Sequence, residues 1–128
     1  MKKIFHLPEN LYVNGAPVVI ESGSLIEKAN GEKVAIITIR NITPKNIKAV
    51  IVSTLQLDGC GEPIGEVLET RYDNIFVGED GLIESVEICL PTLTTQAFSV
   101  IVSEVAFSDN TLWQDAGSAW EPICGNDN

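Results

Sequence analysis

Histidine is nearly missing from this chain: His6 is the only one in 128 residues, and it stands near the N-terminus. Ser–His–Asp and Cys–His arrangements need an imidazole held beside a nucleophile, so neither is expected here. Cysteine is sparse too. Cys60, Cys89 and Cys124 lie far apart with no C-x-x-C pair, which removes the short-spaced ligands of a zinc site. An odd count without an export signal favours free thiols over a disulfide. Basic residues number 8 against 18 acidic ones, for a net charge of −10. Nucleic-acid binding needs clustered cations against phosphate, and anionic membrane surfaces are disfavoured for the same reason. No run reaches the ~18 apolar residues of a membrane span. The start, MKKIFHLPENLYV, lacks the apolar run and small-residue cleavage site of a secretion signal. It reads as a cytoplasmic N-terminus. DGCGEPIG (58–65) lacks the lysine and following helix of a phosphate loop.

What is present points to strands. Apolar residues make up 45% of the chain, an ordinary share for a globular domain, and the length suits a single domain that folds without metal or disulfide. Short apolar runs rich in Val, Ile and Thr occur at 17–22, 33–42, 46–58, 65–73, 83–90, 96–107 and 110–114. Turn residues separate them: NGEK (30–33), TPKN (43–46), EDGL (79–82) and LPTLTT (90–95). Gly31 and Gly81 are expected at positive φ. No segment keeps a helical period. The fold class is therefore all-β, an immunoglobulin-like antiparallel β-sandwich of about seven strands. Residues 1–16 are expected as a partly ordered extension, 17–122 as the sandwich and 123–128 as a frayed tail.

Alternation assigns the faces. In 83–90, Val86, Ile88 and Leu90 point one way, and Ser85, Glu87 and Cys89 the other. In 46–58, Ile47, Ala49, Ile51, Leu55 and Leu57 share one face. The other carries Lys48, Thr54, Gln56 and Asp58 together with Val50 and Val52. In 96–107 the pattern slips: Phe98, Val100 and Val102 have one parity, Val105 and Phe107 the other. An extra residue near Ser103–Glu104 would restore a single inward face, so a β-bulge is expected there.

RNITPKNIKAVIVSTLQLDGCGEPIGE (40–66) resembles the heart of small immunoglobulin-like domains of the FxLyD type in uncharacterised Firmicutes proteins. Asn41, Thr43, Lys45, Ile47, Lys48, Ala49 and Val50 match their N-x-[ST]-x-K-x-I-K-A-V strand. Asp58, Gly61, Ile64 and Gly65 match their D-x-x-G-x-x-[IL]-G hairpin. Leu55 and Leu57 stand where those domains carry aromatic residues. LYVNGAPVVIESG and FSDNTLWQDAGSAWEP extend the likeness over most of the chain. Some of those proteins carry a zinc ribbon after this domain; Cys124 has no partner cysteine near it. The resemblance implies a β-sandwich and supplies no activity, cofactor or catalytic residue.

No catalytic, cofactor-binding or metal-ligating residues are assigned, and the chain is not expected to be an enzyme. Asp58 with Glu62, or the acids at 79–80, could offer oxygen ligands to calcium. The simpler reading is that turn acids bond their own backbone. Cys60 and Cys89 have no cation beside them in sequence and are expected to be inert. Trp113 and Trp120 read as plugs of an open sandwich end, since each can bury ~200 Å², worth several kcal/mol at ~25 cal/mol per Å². Exposed, they would form a platform for a carbohydrate or small ligand. Ile36, Val50 and Val52 read as an apolar patch outside the core, hence a surface for a homodimer or an unknown protein partner. The alternative cover for that patch is the N-terminal segment through Phe5, Leu7, Leu11, Tyr12 and Val13. The leading expectation is a non-catalytic protein-interaction module, with ligand binding through Trp113 and Trp120 as the alternative.

Overall fold

The computed structural model describes residues 2–122. Their regular structure is entirely β: β1 (Lys2–His6), β2 (Leu11–Tyr12), β3 (Val18–Glu27), β4 (Lys33–Asn41), β5 (Ile47–Leu57), β6 (Pro63–Val77), β7 (Leu82–Leu90), β8 (Ala97–Phe107), β9 (Leu112–Gln114) and β10 (Glu121–Pro122). All seven expected strands are present. Two antiparallel sheets face each other. One runs β10-β2-β3-β4-β7, with β1 also pairing β3; the other runs β6-β5-β8-β9. Of the seven strands expected from the sequence, β3 to β9, the first, second and fifth lie in one sheet, and the fourth, third, sixth and seventh in the other. This is an immunoglobulin-like sandwich with its fourth strand placed beside the third.

The core between the sheets draws Val18, Ile20 and Leu25 from β3, Ala35, Ile37 and Ile39 from β4, and Val86, Ile88 and Leu90 from β7. Facing them are Val50 and Val52 of β5 and Phe98, Val100, Val102, Val105 and Phe107 of β8. The bulge in β8 falls at Ser103: Val52 pairs with Val102 and Ile51 with Glu104, so Ser103 is the extra residue. Its hydroxyl donates to the Ile51 carbonyl at 3.2 Å and its own carbonyl accepts the Asp115 amide at 2.9 Å. Val105 and Phe107 return to the core by this means.

β5 shows where alternation misleads. Val50 and Val52 are fully buried, and so, nearly, are Thr54 and Gln56. The pairing shifts between Ile47 and Ala49, so the inward parity changes there. The polar residues Thr54 and Gln56 made this face look solvent-exposed. Gln56 is instead satisfied inside: its Oε1 accepts the Thr92 amide at 3.1 Å and the Thr95 hydroxyl at 2.9 Å. The expected patch of Ile36, Val50 and Val52 therefore does not exist as one surface. Ile36 lies outward on β4, while Val50 and Val52 are core residues of the opposite sheet. The homodimer expected through that patch loses its basis.

Residues 2–16 are part of the sandwich. β1 and β2 pair with the two ends of β3, and Leu7 and Leu11 are buried. Gly23 permits this: a Cβ there would lie 2.5 Å from Leu7 Cδ1, where the Leu7 amide bonds the Gly23 carbonyl at 2.9 Å. Gly31 has the expected positive φ of 89°. Gly81 does not; Asp80 takes that conformation, at 60°. Gly81 is needed for space, since a Cβ would come within 2.3 Å of Val77 Cγ1. The expected tail at 123–128, with Cys124, lies outside the described residues.

Candidate functional site

The motif 41–45 is a structural knot. Asn41 is fully buried. Its Nδ2 donates to the carbonyls of Lys45 (2.7 Å), Val77 (2.9 Å) and Gly78 (3.1 Å). Its Oδ1 accepts the Thr43 amide at 2.9 Å and the Thr43 hydroxyl at 2.8 Å. One side chain thus ties the β4–β5 loop to the β6–β7 turn. Lys45 extends the knot to the β8–β9 loop: its Nζ is 3.2 Å from Asp109 Oδ2, donates to Thr111 Oγ1 at 3.1 Å and sits 5.0 Å from the Phe107 ring centre. The Thr111 hydroxyl and amide bond Asp109, and with Lys45 they lower its pKa to about 2. These residues hold loops together, and none is aimed at a cavity.

The two lateral openings of the sandwich are closed differently. On the β6–β7 side the Tyr72 hydroxyl donates to the Glu87 carbonyl. Burial, and the nearby Cys89 and Glu87, raise its pKa. On the other side Trp113, paired with Val105, meets Trp120, just before β10. The indole centres are 6.4 Å apart and the planes 83° from parallel. Both rings are half-buried against the core, and Leu112 points out, 60% exposed. The tryptophans form an edge-to-face closure rather than an open coplanar platform.

The closure is incomplete. β5 pairs with β8 along its length, but β9 covers only Glu104–Ala106. Residues 97–102 keep one edge without a strand partner among the described residues. That edge borders a cavity of about 320 Å³, walled by Phe5, Leu7, Leu11, Phe98, Val100 and Trp120. Phe5 and Phe98 meet edge to face, 5.6 Å apart. The Trp120 indole nitrogen is buried and has no acceptor among the described residues. A buried indole N–H normally finds one.

No family model matches the chain, and no curated protein does. The fold is similar to the crystal structure of a DUF1425 family member from Shewanella sp. pv-4, with a TM-score of 0.53 and 18% identity. That likeness covers 74% of this chain and 87% of the other, and it shows a shared β-sandwich.

The remaining candidates fall apart spatially. Asp58 Oδ1 accepts its own turn's Cys60 and Glu62 amides at 2.8 and 3.0 Å. Among the described residues no group of three or more His, Cys, Asp or Glu could hold a metal ion. Cys60, in the β5–β6 turn, and Cys89, on β7, are free, exposed thiols. His6 is exposed, its Nδ1 3.2 Å from Ser24 Oγ. Sequence reasoning found Trp120 but missed Phe5, Leu7, Leu11 and Phe98 as its neighbours. The one signal was the apolar alternation of KKIFHLPENLY, which looks like an extension until it pairs with β3.

Proposed function

We propose that the protein is a non-catalytic interaction module that takes up an extended, apolar segment of a partner protein along the free edge of β8. The orphaned Trp120 N–H beside an unpaired strand edge carries this reading. Strand addition supplies backbone hydrogen bonds to such an edge, and flanking pockets take alternate side chains. The walls formed by Phe5, Leu11 and Val100 suit apolar side chains, and a carbonyl of the added segment would accept the indole proton. The likeness to FxLyD-type domains of Firmicutes proteins, and a cytoplasmic setting, belong to this same reading. Carbohydrate binding has less to support it, because it drew on two open indole faces.

Selection from a random peptide library on the folded protein tests it. Selected peptides should slow amide exchange at residues 97–102 and shift the Trp120 indole N–H resonance. Trp120→Phe should weaken them about tenfold, the worth of one buried hydrogen bond. Peptides that protect other amides, or a library that yields no binder, would overturn the reading.

A further inference from the structure

We propose that Asn14 is a site of intramolecular deamidation. The Gly15 amide nitrogen displaces ammonia from the Asn14 carboxamide, and water opens the resulting ring to isoaspartate, which loosens β2, β10 and the Trp120 wall of the cavity beside β8. The modification depends on the turn that holds these two residues and does not rest on the function proposed above.

Asn-Gly occurs twice in the chain, at 14–15 and 30–31. Glycine after asparagine leaves the attacking nitrogen clear of a neighbouring side chain and its backbone free to rotate. The two turns hold that nitrogen differently. In the 28–32 turn the Gly31 amide donates to the Lys28 carbonyl and the Lys28 amide to the Glu32 carbonyl, each at 2.9 Å. Asn30 Oδ1 accepts the Glu32 amide at 3.0 Å, so the carboxamide is tied down as well. β3 and β4 stay paired up to this turn, through Glu27 and Lys33. The 13–16 turn has less. The Ala16 amide donates to the Val13 carbonyl at 3.0 Å, and Gly15 has a φ of 92°, the arrangement of a type II turn. The Gly15 amide donates to the Tyr12 hydroxyl at 3.1 Å, a side chain that turns aside more readily than a hairpin backbone. The Asn14 carboxamide has no hydrogen-bond partner among the described residues, and Asn14 and Gly15 are both exposed. Ring closure requires the backbone between the two residues to rotate out of its turn, so the weaker turn reacts first.

The step balances as a hydrolysis. The Gly15 nitrogen loses its proton and bonds Asn14 Cγ, and Nδ2 leaves as ammonia. Water then cleaves one of the two C–N bonds of the cyclic imide. Cleavage at Cγ gives aspartate. Cleavage at the main-chain carbonyl gives isoaspartate, in which the chain runs through the β-carbon. Either product gains a negative charge, and isoaspartate also gains a backbone atom. That atom has no room on the β3 side, where Ala16, Val18, Val19 and Ile20 are buried. The displacement therefore passes to β2. This strand pairs with β3 through Leu11 and Ile20 alone, and it carries β10 through Tyr12 with Glu121 and Leu11 with Pro122. Leu11, Trp120 and Pro122 are walls of the cavity, so a displaced β2 takes one side of the cavity with it.

The test is to age the full-length protein at mildly alkaline pH and physiological temperature while peptide mapping follows both asparagines. Conversion at Asn14 should run about tenfold ahead of Asn30, the worth of roughly one further hydrogen bond in the 28–32 turn. In urea, where neither turn exists, the two should convert at similar rates. The isoaspartate form, isolated by chromatography, should exchange its Leu11 and Tyr12 amides and its Trp120 indole proton faster than the fresh protein. Asn14→Asp gains the charge without the backbone atom and should keep native exchange. Equal rates at the two sites in the folded protein, a preference for Asn14 that persists in urea, or native exchange at β2 in the isoaspartate form would each overturn the proposal.

Discussion

At the scale of single residues, this protein spends its polar side chains on loops. Asn41 donates from one buried amide group to three loop carbonyls, and a buried polar group left unpaired costs about 1–3 kcal/mol. Asp109 does similar work at the surface and carries a pH signature. Its folded pKa of about 2 lies below the ordinary value near 4, so the folded state holds the proton less tightly than the unfolded chain. Its contribution is therefore complete above about pH 4 and is lost as pH falls towards about 2. The fall in melting temperature from about pH 5 to about pH 2 should be smaller in Asp109→Asn than in the native protein. Identical slopes would show that the Thr111 bonds do not discriminate the charged form.

Among elements, the bulges decide which side chains enter the core. Ser103 is the clearest. Deleting it should turn Val105 and Phe107 away from the core, losing about 1.5–3 kcal/mol for each side chain. Ser103→Ala, which keeps the extra residue, loses the bond to Ile51 and the 3.1 Å contact with Ser53 Oγ, about 1 kcal/mol. Urea unfolding should rank the deletion well below the substitution. Comparable losses would mean that the bulge does not set the register. The edge strand β6 uses the same device. Its pairing with β5 shifts near both ends, and Gly65 and Asn74 take positive φ there. Bulges of this kind blunt an edge against unwanted pairing. The β8 edge at 97–102 has no such bulge.

For the molecule as a whole, the alternation in the sequence agrees with the core on β7 and β8 and fails on β5. Val50→Glu should cost on the order of 4 kcal/mol or more, since it buries a charge between the sheets. That is a large share of a small domain's stability of about 5–15 kcal/mol. Ile36→Glu, on the outer face, should cost about 1 kcal/mol. Circular dichroism with chemical unfolding separates them; a loss for Val50→Glu no larger than that for Ile36→Glu would contradict the burial of Val50. The β8 bulge was legible because five large apolar residues had to share a face and could do so only with one insertion. The inversion of β5 was not, because small Ala49 and half-buried Lys48 left no such contradiction. The buried pair Thr54 and Gln56 also mimicked an outer face.

Local chemistry in the sequence by itself determined seven of the ten strands, the turn positions and the inward faces of β7 and β8. Each follows from period-two alternation or from backbone preferences, neither of which needs a partner strand. Only the tertiary structure decided that residues 2–16 complete a sheet, that Val50 and Val52 face the core, and that the Trp120 indole lines a cavity with its N–H lacking an acceptor among the described residues. Those outcomes depend on which strand lies beside which. That pairing is set by contacts between residues far apart in the chain, and Gln56 with Thr95, or Lys33 with Leu93, have no mark of one another in their local sequence.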